Sequence, residues 1–234
     1  MFYMNYQPVK NSIMKKIILS VTFCICMLSV FAQSEKYKSA MKDKIAALDT
    51  SGDMNILKDI SAAFERIGDA EKTQWLPYYY AALSLINAGN LLYVANPSNV
   101  EELKKLDPLA ERAEQLIDKA DALSQNNSEI YAAKKMAASL RMMVDPMSRY
   151  MQYGAKAQEA LETAKKLNPE NPRIYLLQGE DKFYTPEQFG GSKTEAKKLF
   201  EEALKKYGSF KPASDIDPNW GKNMAEYFLS QIKS

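Results

Sequence analysis

One spacing constrains this chain more than any other. A small residue, a large apolar residue four positions on and a small residue three further recur as Ala113, Ile117, Ala120, then Ala157, Leu161, Ala164, then Ala196, Phe200, Ala203. Offsets of four and three fall on one face of an α-helix. Small residues on that face let a second helix approach closely, and the large residue between them fills the groove of the neighbour. A chain patterned this way folds as helices packed on helices. Ile56, Ile60 and Ala63 make a degenerate earlier copy, and five residues past each last small position stand Gly68, Gln125, Pro169 and Gly208, mostly helix-ending types.

The rest of the chain agrees. No segment after Ser34 alternates apolar and polar residues for long enough to suggest a sheet, so the fold class is all-α. Tyr37, Met41, Ile45 and Leu48 share one face of a first helix, and Asp53 can cap a second whose buried stripe is Ile56, Leu57, Ile60, Phe64 and Ile67, with Gly68 as its stop. A third runs from Trp75 to Ala88 and closes at Gly89. Leu91 to Pro108 reads as a connector with a short helical piece, because Asn96-Pro97 and Asp107-Pro108 interrupt it. Later helices are expected at Leu109 to Leu123, Ser128 to Val144, Ser148 to Leu167, Pro172 to Tyr184, Thr194 to Tyr207 and Asn219 to Ile232, the last opened by Asp217-Pro218.

The repeated pattern resembles the second helix of the tetratricopeptide repeat, with its small, large, small, Pro spacing. The clearest copy runs from Ala157 to Pro172 and into Arg173-Ile174-Tyr175, where Tyr175 and Gly179 match the family's aromatic and glycine positions. Gln178 and Lys182 stand where Leu and Tyr are usual, and the copies lie 44 and 39 residues apart, against about 34 in the family. The resemblance spans Asp53 to Tyr207. It implies a right-handed superhelical stack of about four helix hairpins with a C-terminal capping helix, a TPR-like α-solenoid whose first helices line a concave face. A shorter resemblance, Pro186-Glu187-Gln188-Phe189-Gly190-Gly191 before a Lys- and Ala-rich helix, is to periplasmic helical-repeat proteins that accompany TRAP-type solute transporters.

The N-terminus reads as a secretory signal peptide over residues 1–32. Lys10, Lys15 and Lys16 precede an apolar run from Ile17 to Ala32, shorter than a bilayer span, with Val30 and Ala32 as a cleavage pattern. Met14 is an alternative start, and a retained anchor the alternative fate. Residues 33–234 then form a single helical-repeat domain, exported to the periplasm of a bacterial envelope. Cys24 and Cys26 both fall inside the leader, where Phe23 and Ile25 do not fit a lipoprotein signal. Removing the leader changes 31 basic and 29 acidic residues to 28 and 29. That balance offers no electrostatic footprint for nucleic acid or an anionic membrane surface.

Catalytic chemistry has little to work with. The chain contains no His, and past the leader no Cys, so the commonest general base, zinc ligands and thiol nucleophile are absent together. Gly190-Gly191-Ser192-Lys193-Thr194 lacks the first glycine and the preceding strand of a phosphate loop. The acids at Glu101-Glu102, Glu111, Glu114 and Glu201-Glu202 alternate with lysines as solvated helix faces do. The expectation is a protein without catalytic residues, cofactor or metal.

Three groups remain as binding candidates. Tyr78-Tyr79-Tyr80 beside Trp75 cover most of a helical turn, so at least one should point away from the core. The Met-rich turn Arg141 to Met151 suits either an interaction surface or an adaptable core. Phe183-Tyr184 to Gly191, with Phe210 and Trp220, place aromatics on loops expected to fold together and seal the C-terminal end. From helical register the concave face should present Tyr80, Tyr131, Lys134, Tyr175 and Gln178, and Tyr79, Tyr184, Phe189 and Trp220 complete the candidate set. The leading expectation is a non-catalytic protein-protein interaction scaffold engaging another envelope protein or a peptide segment. The alternative is a solute-binding transporter accessory, with a small ligand held between the tyrosine-rich third helix and the aromatic C-terminal loops.

Overall fold

The computed structural model describes residues 35–232. The expected leader, its cleavage site, Met14 and both cysteines lie outside them. The chain divides into two units, residues 1–40 and 41–234. Of the first, residues 35–40 are described and are helical, with Lys38 and Glu35 paired across one turn at 3.8 Å. In the second, residues 41–50 are helical and are called α1.

Ten further helices follow in chain order: α2 (Met54–Glu71), α3 (Leu76–Ala95), α4 (Val100–Leu103), α5 (Leu106–Leu123), α6 (Ser128–Met143), α7 (Pro146–Arg149), α8 (Ala155–Leu167), α9 (Pro172–Tyr184), α10 (Lys193–Ser209) and α11 (Lys222–Gln231). A π-turn, Tyr150–Gly154, joins α7 to α8, and one 3₁₀ turn, Glu187–Phe189, precedes α10. Among the described residues there is no strand, so the molecule is all-α as its periodicity demands.

Short polar side chains start most of the helices. Asp53 Oδ1 accepts from the backbone N–H groups of Asn55 and Ile56 at 2.8 and 3.0 Å, Asn127 from Glu129 at 2.9 Å, Asn171 from Arg173 at 3.1 Å, and Ser192 from Glu195 at 3.2 Å. Each satisfies a donor the helix cannot, worth about 1 kcal/mol. The helices then pack in sequence. α3 lies against α2, α5 and α6, α6 against α5 and α8, and α9 against α10, which also carries α11. α3 touches α6 and α6 touches α9, so the opening helices of successive pairs are neighbours.

The repeated triplets form these seams. Ala113, Ile117, Ala120, Ala157, Leu161, Ala164, Ala196, Phe200 and Ala203 are all buried. The degenerate copy does not follow: Ile56 is 52% exposed, and Leu57, Ile60 and Phe64 carry the buried stripe of α2 instead.

Two glycines expected to end helices lie inside them. α2 continues past Gly68 to Glu71 and closes on Lys72 in the left-handed region, and α3 runs through Gly89 to Ala95. Their role is close approach: a Cβ on Gly68 would lie 2.8 Å from the Tyr78 ring, and one on Gly89 2.5 Å from Leu140 Cδ2. Asp217-Pro218 does not open the last helix, which starts after Gly221 at φ 106°. The Met-rich turn is divided: Val144 is buried with Met143 packed against the same cluster, while Met147 and Met151 are 81% and 82% exposed with Tyr150 exposed beside them. Arg149 braces that turn from below with two hydrogen bonds to the Asp107 carboxylate.

Candidate functional site

The tyrosine triplet does not reach the surface. Tyr78, Tyr79 and Tyr80 are all buried, because α3 is enclosed by α2, α5 and α6 on its sides and by the segment 210–221 over its start. The expectation that one of them points outward is corrected, as is the exposure of Tyr80 on a concave face. Tyr78 donates to Asp69 at 2.8 Å, Tyr80 stacks on Phe64 and donates to the Ile216 carbonyl at 3.0 Å, and Tyr79 accepts from Trp220 Nε1 at 2.8 Å.

Beneath that cover lies an ionic network. Arg173, 1% exposed, donates from Nε and Nη2 to the Glu129 carboxylate, the Nε bond being 2.7 Å. Asn171 Nδ2 donates to the same carboxylate at 2.7 Å and to Ser128 Oγ at 3.1 Å. The Phe210 ring covers the guanidinium at 4.6 Å, with Trp220 further out. Burial works against the charge of Arg173, but the Glu129 carboxylate more than offsets it and holds the guanidinium above its usual range. Burial, with the same carboxylate adding, pushes the Tyr79 hydroxyl well up. The interstice between the third helix and the aromatic C-terminal loops is thus filled by side chains hydrogen-bonded to one another. Phe210 and Trp220 close over this end as expected, while Tyr184 and Phe189, on the loop expected to fold in with them, stay exposed.

The remaining candidates divide in two. Tyr131, Lys134, Tyr175 and Gln178 are half-buried on α6 and α9, where Tyr131 and Tyr175 pack on one shared cluster. Lys134 lies 4.6 Å over the Tyr131 ring and pairs with Asp121 at 2.6 Å, while Lys165 and Lys206 flank the Tyr175 ring at 5.0 and 4.8 Å. Gln178 accepts from Lys165 at 3.4 Å. Tyr184 and Phe189, by contrast, are 68% and 60% exposed.

Tyr184 belongs to an aromatic face absent from the sequence-derived set as a group. Its ring meets Phe183 and Phe228 edge-on at 5.2 and 5.7 Å, and Phe228 meets Tyr227 at 5.6 Å. Phe228 stacks in turn on Phe200, which anchors the group to the repeat seam. Tyr227 and Met224, one turn apart on α11, are 58% and 43% exposed. Partial burial pushes the Tyr184 hydroxyl up, and Glu180, Tyr227 and Tyr93 add to it, so residues from α3, α9 and α11 converge here.

A polar group sits beside this face. Lys135, 4% exposed on α6, donates to Asp181 Oδ1 at 2.7 Å. Glu180, next in chain to Asp181 and one turn before Tyr184, keeps its Oε1 buried without a hydrogen-bond partner. Burial raises this carboxyl from 4.5 to about 7, with Asp181 adding and Lys135 opposing. Lys135, Glu180, Tyr93, Met224 and Tyr227 escaped sequence reasoning. The i, i+4 pairing of Glu180 with Tyr184 was there to be read, but convergence across three helices was not.

No family model and no curated protein matches this chain. Among solved structures it is similar to the HusA haemophore from Porphyromonas gingivalis, at 34% sequence identity and a TM-score of 0.72, over 84% of this chain and 92% of that one. The class the fold defines is all-α, and it is shared with that haemophore. At that identity and coverage the chain belongs to the family of the HusA haemophore.

Proposed function

We propose that this protein is an exported, non-enzymatic haem-binding carrier whose ligand lies on the aromatic face of α9 and α11. The supporting observation is the 34% identity to a haemophore over nearly the whole of both chains, together with an exposed cluster suited to a flat macrocycle. Tyr184, Tyr227 and Met224 offer exposed apolar surface over a base of Phe183 and Phe228. Rings of this kind stack on or edge against a planar π-system, and aromatic burial dominates such contacts. The chain has no His, and its two Cys are at positions 24 and 26, so Tyr and Met are the side chains left that could approach iron among the usual haem ligands. Export rests on the leader read at residues 1–32. Among the described residues no helix is long and apolar enough to cross a membrane.

Titration of the protein with haemin, followed by the Soret band, tests this reading. Saturable binding at a 1:1 ratio, weakened in Tyr184→Ala and Tyr227→Ala and retained in Met147→Ala on the exposed turn of α7, is expected. Haemin absorption indistinguishable from that in buffer would sink the proposal.

A second reading keeps the tetratricopeptide-like scaffold, with α3, α6 and α9 as the inner helices of a right-handed superhelical stack and another envelope protein as partner. The half-buried row Tyr131, Lys134, Tyr175 and Gln178, flanked by Lys165 and Lys206, favours it. Crosslinking from an envelope fraction would support this reading if a single protein were captured by the native chain and lost in a Tyr131→Ala, Tyr175→Ala variant.

A further inference from the structure

An orphaned acid is unusual in a helical seam. Most buried polar atoms have a hydrogen-bond partner, and leaving one without costs about 1–3 kcal/mol. Glu180 Oε1 is such an exception, and it lies one residue from Asp181, which already engages the buried Lys135 ammonium. An ammonium carries three donors, and Asp181 Oδ1 accepts from one of them at 2.7 Å. In a helix a side chain leans over the turn N-terminal to its own Cα, which sets Tyr184 over Glu180. At 68% exposure Tyr184 can swing aside without disturbing the core. A buried cation and an unsatisfied acid thus lie at the edge of an exposed aromatic cluster.

Resting on the haem reading above, we propose that Lys135 and Glu180 form the subsite for a carboxylate arm of the ligand, Lys135 pairing with its charge and the Glu180 carboxyl donating a hydrogen bond to it. No covalent step is involved: one proton lies between two carboxyl groups that cannot both carry charge side by side. The macrocycle then rests on Tyr184 and Tyr227, and the arm turns inward past Tyr184.

The surroundings set the pH response. The groups facing Glu180 are Lys135 from α6, Asp181 and Tyr184 on its own helix, and Tyr207 from α10, with Tyr93 of α3 and Tyr227 of α11 around Tyr184. With Glu180 half-protonated near pH 7, the donating form goes from about a tenth of the molecules at pH 8 to about nine tenths at pH 6. Affinity for the arm follows it, rising about tenfold over that interval.

The experiment compares haemin with haemin dimethyl ester, in which both arms are blocked, by Soret titration of the native protein at pH 6 and pH 8. Haemin is expected to bind at least about tenfold more tightly than the ester at pH 6, with the preference shrinking at pH 8. Lys135→Met should bring the two ligands close to parity. Glu180→Gln, whose amide donates at every pH, should keep the low-pH affinity and erase the slope, with circular dichroism verifying that both variants fold. Equal binding of haemin and its ester by the native protein would overturn this inference and leave the carrier reading standing. Failure to bind either ligand would overturn both.

Discussion

Two aromatic regions of this molecule have similar composition and opposite fates. Around Arg173, the rings of Tyr79, Phe210 and Trp220 close over an ion pair whose Nε and Nη2 bonds to Glu129 are made within the chain, although Nη1 is left without a partner under the Phe210 ring. Around Glu180, the rings of Tyr184 and Tyr227 stay open to solvent, and a buried carboxyl oxygen is left without one. The first arrangement is what stability asks of buried polar groups, and the second is what a binding surface leaves unfinished. An aromatic cluster is therefore assigned by its exposure together with its polar neighbours: where the rings are covered and an ion pair closes beneath them, the cluster is structural.

If that contrast holds, substitutions in the sealed region change stability and those in the open one change ligand affinity. The largest expected effect is Arg173→Met, which strands Glu129 in the interior. A loss of about 3–5 kcal/mol in denaturant unfolding follows from breaking a buried pair from one side. Near-native stability for this variant would break the comparison.

Next comes Glu180→Gln. The folded-state value of this carboxyl is raised to about 7, so its stabilising contribution is fully present below the unfolded value near 4.5 and is lost as pH rises through about 7. The native protein should lose on the order of 2–3 kcal/mol between pH 4.5 and pH 8 from this group alone. The glutamine variant should lack that component, which unfolding titrations at several pH values would reveal.

Smaller still, Tyr184→Ala should weaken haemin about tenfold, on the order of 1.4 kcal/mol, while changing unfolding stability by about 0.5 kcal/mol or less, as exposed substitutions do. A variant that loses stability and keeps affinity would exchange the roles of the two regions. Trp220→Phe sharpens the sealed side: it removes the donor to Tyr79 while keeping the ring, and about 1 kcal/mol of stability should go with it. Haemin affinity should not move, and a Soret titration checks that.

Much of the scaffold was legible in the chain. The helix from Pro172 to Tyr184 was bounded correctly because Asn171 and Pro172 supply the cap and the first turn. The three triplets were placed on buried seams by spacing alone. Gly68 and Gly89 misled because glycine marks both helix ends and close helix contacts, and only the neighbouring Tyr78 and Leu140 distinguish them. Tyr184 was named as a candidate, but Tyr227 and Tyr93, far away in sequence, were not joined to it.

The sequence by itself determined the all-helical class, the caps at Asp53 and Asn171 and the buried face of the three repeated triplets, because those depend on residues within a turn or two of one another. It also removed imidazole from the possible chemistry. Only the tertiary structure decided that Tyr79 and Tyr80 are sealed and Tyr184 and Tyr227 open, and that one carboxyl oxygen of Glu180 is buried near Lys135. Exposure and hydrogen-bond completion depend on groups brought together from distant parts of the chain, as when Trp220 closes on Tyr79, and no local periodicity encodes them.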